Sequence, residues 1–515
     1  MGVYKGMGVI ARQSIKGALA NYLGVAIGFV ITFFVLTRYL TEEEVGLTRV
    51  MVDAAMLFSS LAQLGTAASV VRFFPHFKSP RADDGREHHG IFGLSLLVPL
   101  AGFMLFALVF IIFHDPLVTL YSEKSPLIAD YFYLLPMLTF FALYMTVFET
   151  NASVLMRIAI PKAVREVGIR VFNLAAYLLY GYRVIGIDQF VWLFCASYGL
   201  AMLLNVFYLL RINGFNLGVF KVDWRFLTRD RVREMVRYTL FMTAAVLAGN
   251  IPLINSLFLG VKAGAALTGV YAIASYIANV VEVPYRSLGA ISRPVVATAV
   301  KEGDWGEVNR LGRQVSLHQL LVSLTILYLI WINLPALYAF IPNGASYAGG
   351  VGVVLLLGMA KVVNSSFSIG TDVLNYSRYY SRSLLFILLL TVSAIVLNNI
   401  LIPLWGIDGS AAATLLSYLL YYSLLSIYLW RRLRVSLFSS AQIKTVVLLA
   451  IAVALSYLWQ SVLTPLLVPQ QAPLPIVVDA VVKTVVLAAL LLAGVYLWRV
   501  SDTVNQMIDR RLKLK

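Results

Sequence analysis

Cysteine is almost absent from this sequence. Cys195 stands alone among 515 residues, which excludes an intrachain disulfide framework and any cysteine-rich metal site. Histidine is scarce too: His76, His88, His89, His114 and His318 fall in loops and at span ends, at no metal-ligand spacing. No Gly-rich phosphate loop of the Walker type occurs, so neither nucleotide hydrolysis nor a metal or other cofactor is expected. Charge is the third shortage, at 13% of residues where a soluble domain carries about a quarter. In its place 60% of the chain is hydrophobic and the mean hydropathy is +0.83. Such a chain is expected to be an all-α polytopic membrane protein, because a hydrocarbon core of roughly 30 Å takes about 20 apolar residues per crossing and the runs here are long and continuous. No cleavable leader is expected, since Lys5, Arg12 and Lys16 precede the first apolar run and no small-residue cleavage site comes before TEEE at 41–44.

Apolar runs predict spans near 17–38, 48–70, 90–113, 128–152, 167–186, 189–210, 239–260, 268–290, 315–338, 350–373, 384–404, 409–430, 445–463 and 477–498, about fourteen in all. The fifth, interrupted by Arg170 and Arg183, and the thirteenth are the weakest. On that layout 33 of the 41 lysines and arginines lie on the side of the N-terminus, the even-numbered loops and the C-terminus. The bias places both termini in the cytoplasm. It also accounts for the +16 net charge without nucleic acid as a partner, because those residues border an anionic leaflet of membrane lipid.

Two segments share a pattern: GIDQFVWLFCASY at 186–198 and GIDGSAAATLLSY at 406–418, with Gly, Ile, Asp, Ser and Tyr all offset by 220. Gly46 and Gly269 match at 223. A repeat of six spans enters the membrane twice from the same side, so its halves are expected to form two six-helix lobes, V-shaped around a shared cavity and related by an axis along the membrane normal. The expected organisation is an N-terminal lobe at 1–215, a cytoplasmic amphipathic linker at 216–238, a C-terminal lobe at 239–434, and at 435–515 two added spans with a basic cytoplasmic tail.

An ionisable group near the bilayer centre costs at least about 2.5–3.5 kcal/mol to insert, so each one inside a span is a candidate. Arg49 with Asp53, Glu282 with Arg286, and Asp479 with Lys483 are spaced i,i+4, on one helix face. Lys361 has no acid within a turn. It either faces a wet cavity or pairs with an acid on another helix. Arg286 either snorkels to the cytoplasm beside its counter-charge or lines the cavity as a donor to phosphate oxygens, with Glu282 as a protonatable coupling group. Pro284 between them is placed to kink the span. Under the repeat, Ser59 and Gln63 occupy the positions of 282 and 286 and extend the candidate binding set. Asp53, which also reads as an interfacial ion-pair partner, joins Glu149 and Asp372 as coupling or gating candidates, and the latter two sit near the cytoplasmic ends of spans 4 and 10.

The opening RQSIKGALANYLGVAIGFVITFFVLTRYLTEEEVGLTRV, followed by LAQLGTAASVVRFFPHF, resembles the polysaccharide-biosynthesis membrane proteins of the Wzx type, O-antigen and exopolysaccharide flippases within the multidrug/oligosaccharidyl-lipid/polysaccharide exporter (MOP) superfamily. The resemblance extends to the layout of six, six and two spans. It implies a flippase, not an enzyme, that moves a polyprenyl-pyrophosphate-linked oligosaccharide across the bacterial cytoplasmic (inner) membrane by alternating access, in lipopolysaccharide or related biosynthesis beside a polysaccharide polymerase. The family is discussed as coupled to ion or proton gradients. Lipid II flippases carry cations in the first span, whereas residues 21–37 have none. The alternatives are a multidrug or other lipid-linked precursor exporter of the superfamily and, more distantly, a membrane-embedded glycosyltransferase or polymerase, which needs a larger outer loop than HDPLVTLYSEKSP or TPLLVPQQAPLPI.

Overall fold

A computed structural model describes residues 23–77, 89–249, 251–464 and 473–512. The first span is α1 (Leu23–Tyr39). It ends at an extended Leu40, and α2 (Glu42–Ala62) starts on a reciprocal cap: the Glu44 amide donates to Thr41 Oγ1 at 3.3 Å while the Thr41 amide donates to Glu44 Oε2 at 2.8 Å. The TEEE run is thus a helix start, its carboxylates lying where the helix dipole favours them. After a left-handed turn at Leu64 and Gly65 come α3 (Thr66–Phe77), α4 (Ile91–Ser122) and α5 (Pro126–Val154). Residues 159–181 form α6 with a π-turn at Val164–Gly168, and α7 spans Ile187–Ile212. Arg170 sits inside α6 against the Glu166 carbonyl at 2.9 Å, and Arg183 lies just past its end. These charges make the fifth span faint in sequence without preventing the helix.

The basic stretch at 221–238 contributes the first turns of α8 (Arg229–Gly249), which leads to α9 (Ile251–Lys262). Before it, Phe226 meets Phe77 edge-on at 5.0 Å and stacks on His89 at 4.1 Å, with the Arg231 guanidinium 3.9 Å above its ring. His89 Nδ1 lies 3.1 Å from Asp223 Oδ2 and holds that carboxyl below the usual carboxylate range.

The chain continues through α10 (Ala265–Asn279), a 3-10 turn at Val280–Glu282 ahead of Pro284, α11 (Val283–Glu302), α12 (Trp305–Phe340) and α13 (Val351–Tyr376). The tightened turn before Pro284 is the departure from α-geometry that proline imposes. The helix Ser383–Leu433 is broken at Gly406, whose φ of 56° and ψ of −128° divide it into α14 (383–405) and α15 (407–433). Gly186 caps α7 and Gly406 opens α15, so the two GID copies begin equivalent spans. The chain closes with α16 (Ser440–Leu458), α17 (Pro473–Leu497) and α18 (Asp502–Leu512).

Among the described residues ten helices are long and apolar enough to cross a membrane, one of them the pair joined at Gly406, and Leu23–Tyr39 and Leu253–Lys262 are shorter apolar helices. With α6 these reproduce the expected fourteen. The outer face of α4 shows why lipid is the solvent: Met104, Leu105, Leu108, Ile111 and Ile112 are all more than half exposed, an apolar strip too large for water to tolerate.

The chain divides into two compact units, Met1–Gly269 and Val270–Lys515. In the first, α2 packs on α5 and α9 around Val50, Met51, Ala54, Leu138 and Leu259, all nearly inaccessible. Cys195 is 0% exposed in this unit, so a water-soluble thiol reagent should leave the folded protein unlabelled and label one site after denaturation; labelling of the folded protein would contradict the packing. In the second unit α16 and α17 lie on α12 through Tyr328, Ile332, Leu448, Leu487 and Leu491. There Asp479 and Lys483 lie 3.6 Å apart, both side chains buried, with Trp459 Nε1 donating to the same carboxylate at 2.9 Å.

Candidate functional site

In both units the described intramembrane charges sit in pairs and small clusters. In the second unit Lys361, predicted to face a cavity or an acid on another helix, meets Glu282: its Nζ is 3.1 Å from Glu282 Oε2, and the two side chains are 9% and 14% exposed. The other carboxylate oxygen of Glu282 accepts from Asn364 Nδ2 at 2.6 Å, and Asn364 Oδ1 accepts from the Tyr422 hydroxyl at 2.7 Å. The chain Lys361–Glu282–Asn364–Tyr422 therefore links α13, the turn before α11, and α15. Tyr418 and Tyr421 flank it, the Tyr421 ring standing nearly perpendicular to Tyr422 at 4.7 Å. Glu282 thus takes its charge partner from α13. The side chain of Arg286, proposed as its i,i+4 partner and as a phosphate donor, lies outside the described residues.

Three turns along α13, Asp372 meets Arg293 of α11 at 3.3 Å, and Arg293 also donates to the Tyr285 hydroxyl at 2.6 Å. Lys361, Asn364, Ser368 and Asp372 follow one another at spacings of three and four, so one stripe of α13 carries all of this polarity. A wholly apolar neighbourhood would leave these groups costly; here each has a partner.

In the first unit Asp53 of α2 is held by Arg49 Nε at 2.5 Å and by the Ser256 hydroxyl of α9 at 2.6 Å. Ser59 donates to the Met56 carbonyl of its own helix at 2.9 Å, and Gln63 ends α2 with a buried Nε2 that has no acceptor among the described residues. Ser59 and Gln63 share a helix with Asp53, but no hydrogen bond joins them to it or to each other.

Glu149 takes part in a different site. Its carboxylate is in charge contact with Arg165 Nε of α6 at 2.7 Å, and Arg165 also donates to Thr146 Oγ1 at 2.8 Å. The pair opens on a cavity of about 490 Å³ whose other walls include Arg72, Thr150, Ser153 and Tyr238. Arg72 lies 4.4 Å over the Tyr238 ring and 3.6 Å from Glu234. Arg72 and Arg165 thus bring two guanidinium groups to this cavity, each beside a carboxylate, Glu234 and Glu149. Glu149 and Asp372 belong to different units, and each is answered by one arginine.

Sequence reasoning missed Asn364, Tyr422, Arg293, Tyr285, Arg72 and Arg165. The polar stripe of α13 was the available signal for Asn364; the arginines read as ordinary loop charges.

The fold defines a polytopic helical membrane protein. Residues 10–297, more than half of the chain, match the family described as polysaccharide biosynthesis protein, and the chain belongs to that family. Solved structures agree on the fold. The lipid II flippase MurJ in an inward closed conformation is 9% identical, with a TM-score of 0.66 over 92% of this chain and 98% of MurJ. An inward-facing multidrug-resistance MATE transporter of the MOP superfamily is 16% identical, with a TM-score of 0.60 over 83% of this chain and 98% of its own. A MOP superfamily transporter from Pyrococcus furiosus, described as having a binding pocket of reversed polarity, is 14% identical, with a TM-score of 0.53 over 83% of this chain and 96% of its own. Comparison with curated proteins gave no match.

Proposed function

We propose that the chain is a flippase that carries a polyprenyl-pyrophosphate-linked oligosaccharide, the repeat unit of a surface polysaccharide such as O-antigen, from the inner to the outer leaflet of a bacterial-type cytoplasmic membrane, with both termini in the cytoplasm. The observation that carries this reading is the buried Lys361 in contact with Glu282. A lysine ammonium is a compact point charge suited to phosphate. A pyrophosphate entering beside it displaces Glu282, and Glu282 reclaims the lysine when the load leaves. Such an exchange suits transport better than an unopposed cation, because a ligand that favours two states equally shifts neither. A proton arriving on Glu282 frees Lys361 by the same logic, which gives proton coupling a place to act. The cavity of Arg72 and Arg165 supplies a second set of paired cations, and the translocated unit is then available to a polymerase.

A multidrug exporter is the second reading, since Asp53 is an acid in the N-terminal unit. Its Oδ2 already accepts from both Arg49 and Ser256, so an organic cation would have to compete with the Arg49 charge for this carboxylate. Deletion of the gene separates the two: lost surface glycan with lipid-linked repeat units accumulating inside supports the flippase, whereas intact glycan with new drug sensitivity contradicts it. On the same assay Arg165→Gln, made where Glu149 and Arg165 meet, should lower surface polysaccharide several-fold at unchanged protein level. Unchanged glycan would remove that cavity from the transport path.

A further inference from the structure

At one end of the second unit, α12, α16 and the junction of α17 with α18 enclose a cavity of about 630 Å³ lined by Arg310, Arg313, His318, Lys444, Arg499 and Asp502, with serines and a threonine between them. From its position and chemistry we infer that this cavity is a binding site for the phosphate headgroup of an anionic membrane lipid, separate from the transported substrate.

Four cations face a single carboxylate. Arg310 is engaged by Glu307 at 2.6 Å, but Arg313, Lys444 and Arg499 form no ion pair among the described residues. Lys444 is aimed back along the wall by a 3.4 Å hydrogen bond to the Trp498 carbonyl, and His318 Nε2 is fixed 2.8 Å from Ser501 Oγ. The first turns of α16 and α18 both start at this wall, at Ser440 and Asp502, so unpaired amides add to the positive field there.

Depth decides between a lipid and a soluble phosphate. The 36 residues of α12 extend about 54 Å, more than a hydrocarbon core of about 30 Å, so its first turns project beyond the core to headgroup level. Beside the cations the surface is apolar: Ile443 is 67%, Val447 44% and Leu497 75% exposed. A headgroup in the cavity can lay its acyl chains along these side chains, which a free phosphate cannot exploit. Basic pockets between spans, on the side where positive loops gather, hold anionic headgroups by this combination.

The test uses the full chain in phosphatidylcholine nanodiscs containing phosphatidylglycerol, with retained lipid counted by native mass spectrometry after transfer to detergent. Arg313→Gln/Arg499→Gln should retain phosphatidylglycerol about 25-fold less well, at about fivefold per cation, whereas Lys301→Ala/Arg431→Ala, two exposed cations outside the cavity, should match the unmodified chain. Equal retention by the two double variants would overturn the site. Should the first variant fold poorly, the unmodified chain suffices: retention must fall steeply with sodium chloride, and retention indifferent to salt would overturn the proposal. Displacement of the lipid by inorganic phosphate at low concentration would overturn the assignment to lipid, while no displacement supports it.

Discussion

Lys361→Met is expected to abolish surface polysaccharide and to destabilise the protein by about 3–5 kcal/mol, the cost of leaving one partner of a buried ion pair uncompensated. Glu282 would keep only Asn364 as a donor in a setting where water is scarce. Adding Glu282→Gln removes the stranded charge, and since apolar or neutral replacement of a whole buried pair is often close to neutral, the double variant should recover most of the lost stability. Transport should not recover, because the cation that receives the phosphate is gone. Thermal unfolding in detergent and surface glycan in cells, measured on both variants, read the two effects separately. A double variant that restores both would make the pair purely architectural.

Gly46→Val should reduce the folded protein several-fold, and Gly269→Val should do the same. A Cβ on Gly46 would lie 1.9 Å from the Ala265 carbonyl oxygen, and one on Gly269 would lie 2.0 Å from that of Glu42. Both obstacles are backbone, so no side-chain rotation relieves them and α2 must part from the start of α10. Overpacking costs of about 1–3 kcal/mol are a lower bound here, since the crossing itself is lost. Gly349, where an added Cβ meets nothing within 4 Å, is the control: Gly349→Ala should express like the parent chain. Comparable expression of Gly46→Val would mean that this crossing is not needed for folding.

The two glycines also show what a sequence can and cannot disclose. Their common offset marked them as equivalent points of a repeat, yet only coordinates reveal that each is small because it abuts the other's helix. Membrane class and span number were legible because burying a backbone in lipid demands some twenty apolar residues, a signal that survives without any knowledge of packing. The fifth span was faint because Arg170 lies within its helix and Arg183 just past its end. Lys361 and Glu282 were each visible as costly charges in apolar runs, whereas their pairing joins residues 79 apart and no local spacing rule reaches that far. Asn364 and Tyr422 escaped because a single amide or phenol in a span is unremarkable until a carboxylate is placed beside it. The spacing of 361, 364, 368 and 372 held part of that information, since a polar stripe on an otherwise apolar helix has to face something other than lipid.

The most direct measurement is translocation in proteoliposomes of the purified chain, with a polyprenyl-pyrophosphate-linked sugar placed in one leaflet and its appearance in the other followed by an impermeant reagent, in the absence of nucleotide. The account predicts transfer by the unmodified chain and none by Lys361→Met/Glu282→Gln at equal reconstitution. Equal transfer by both, or no transfer of this lipid by a chain that moves an organic cation under the same gradient, would contradict it.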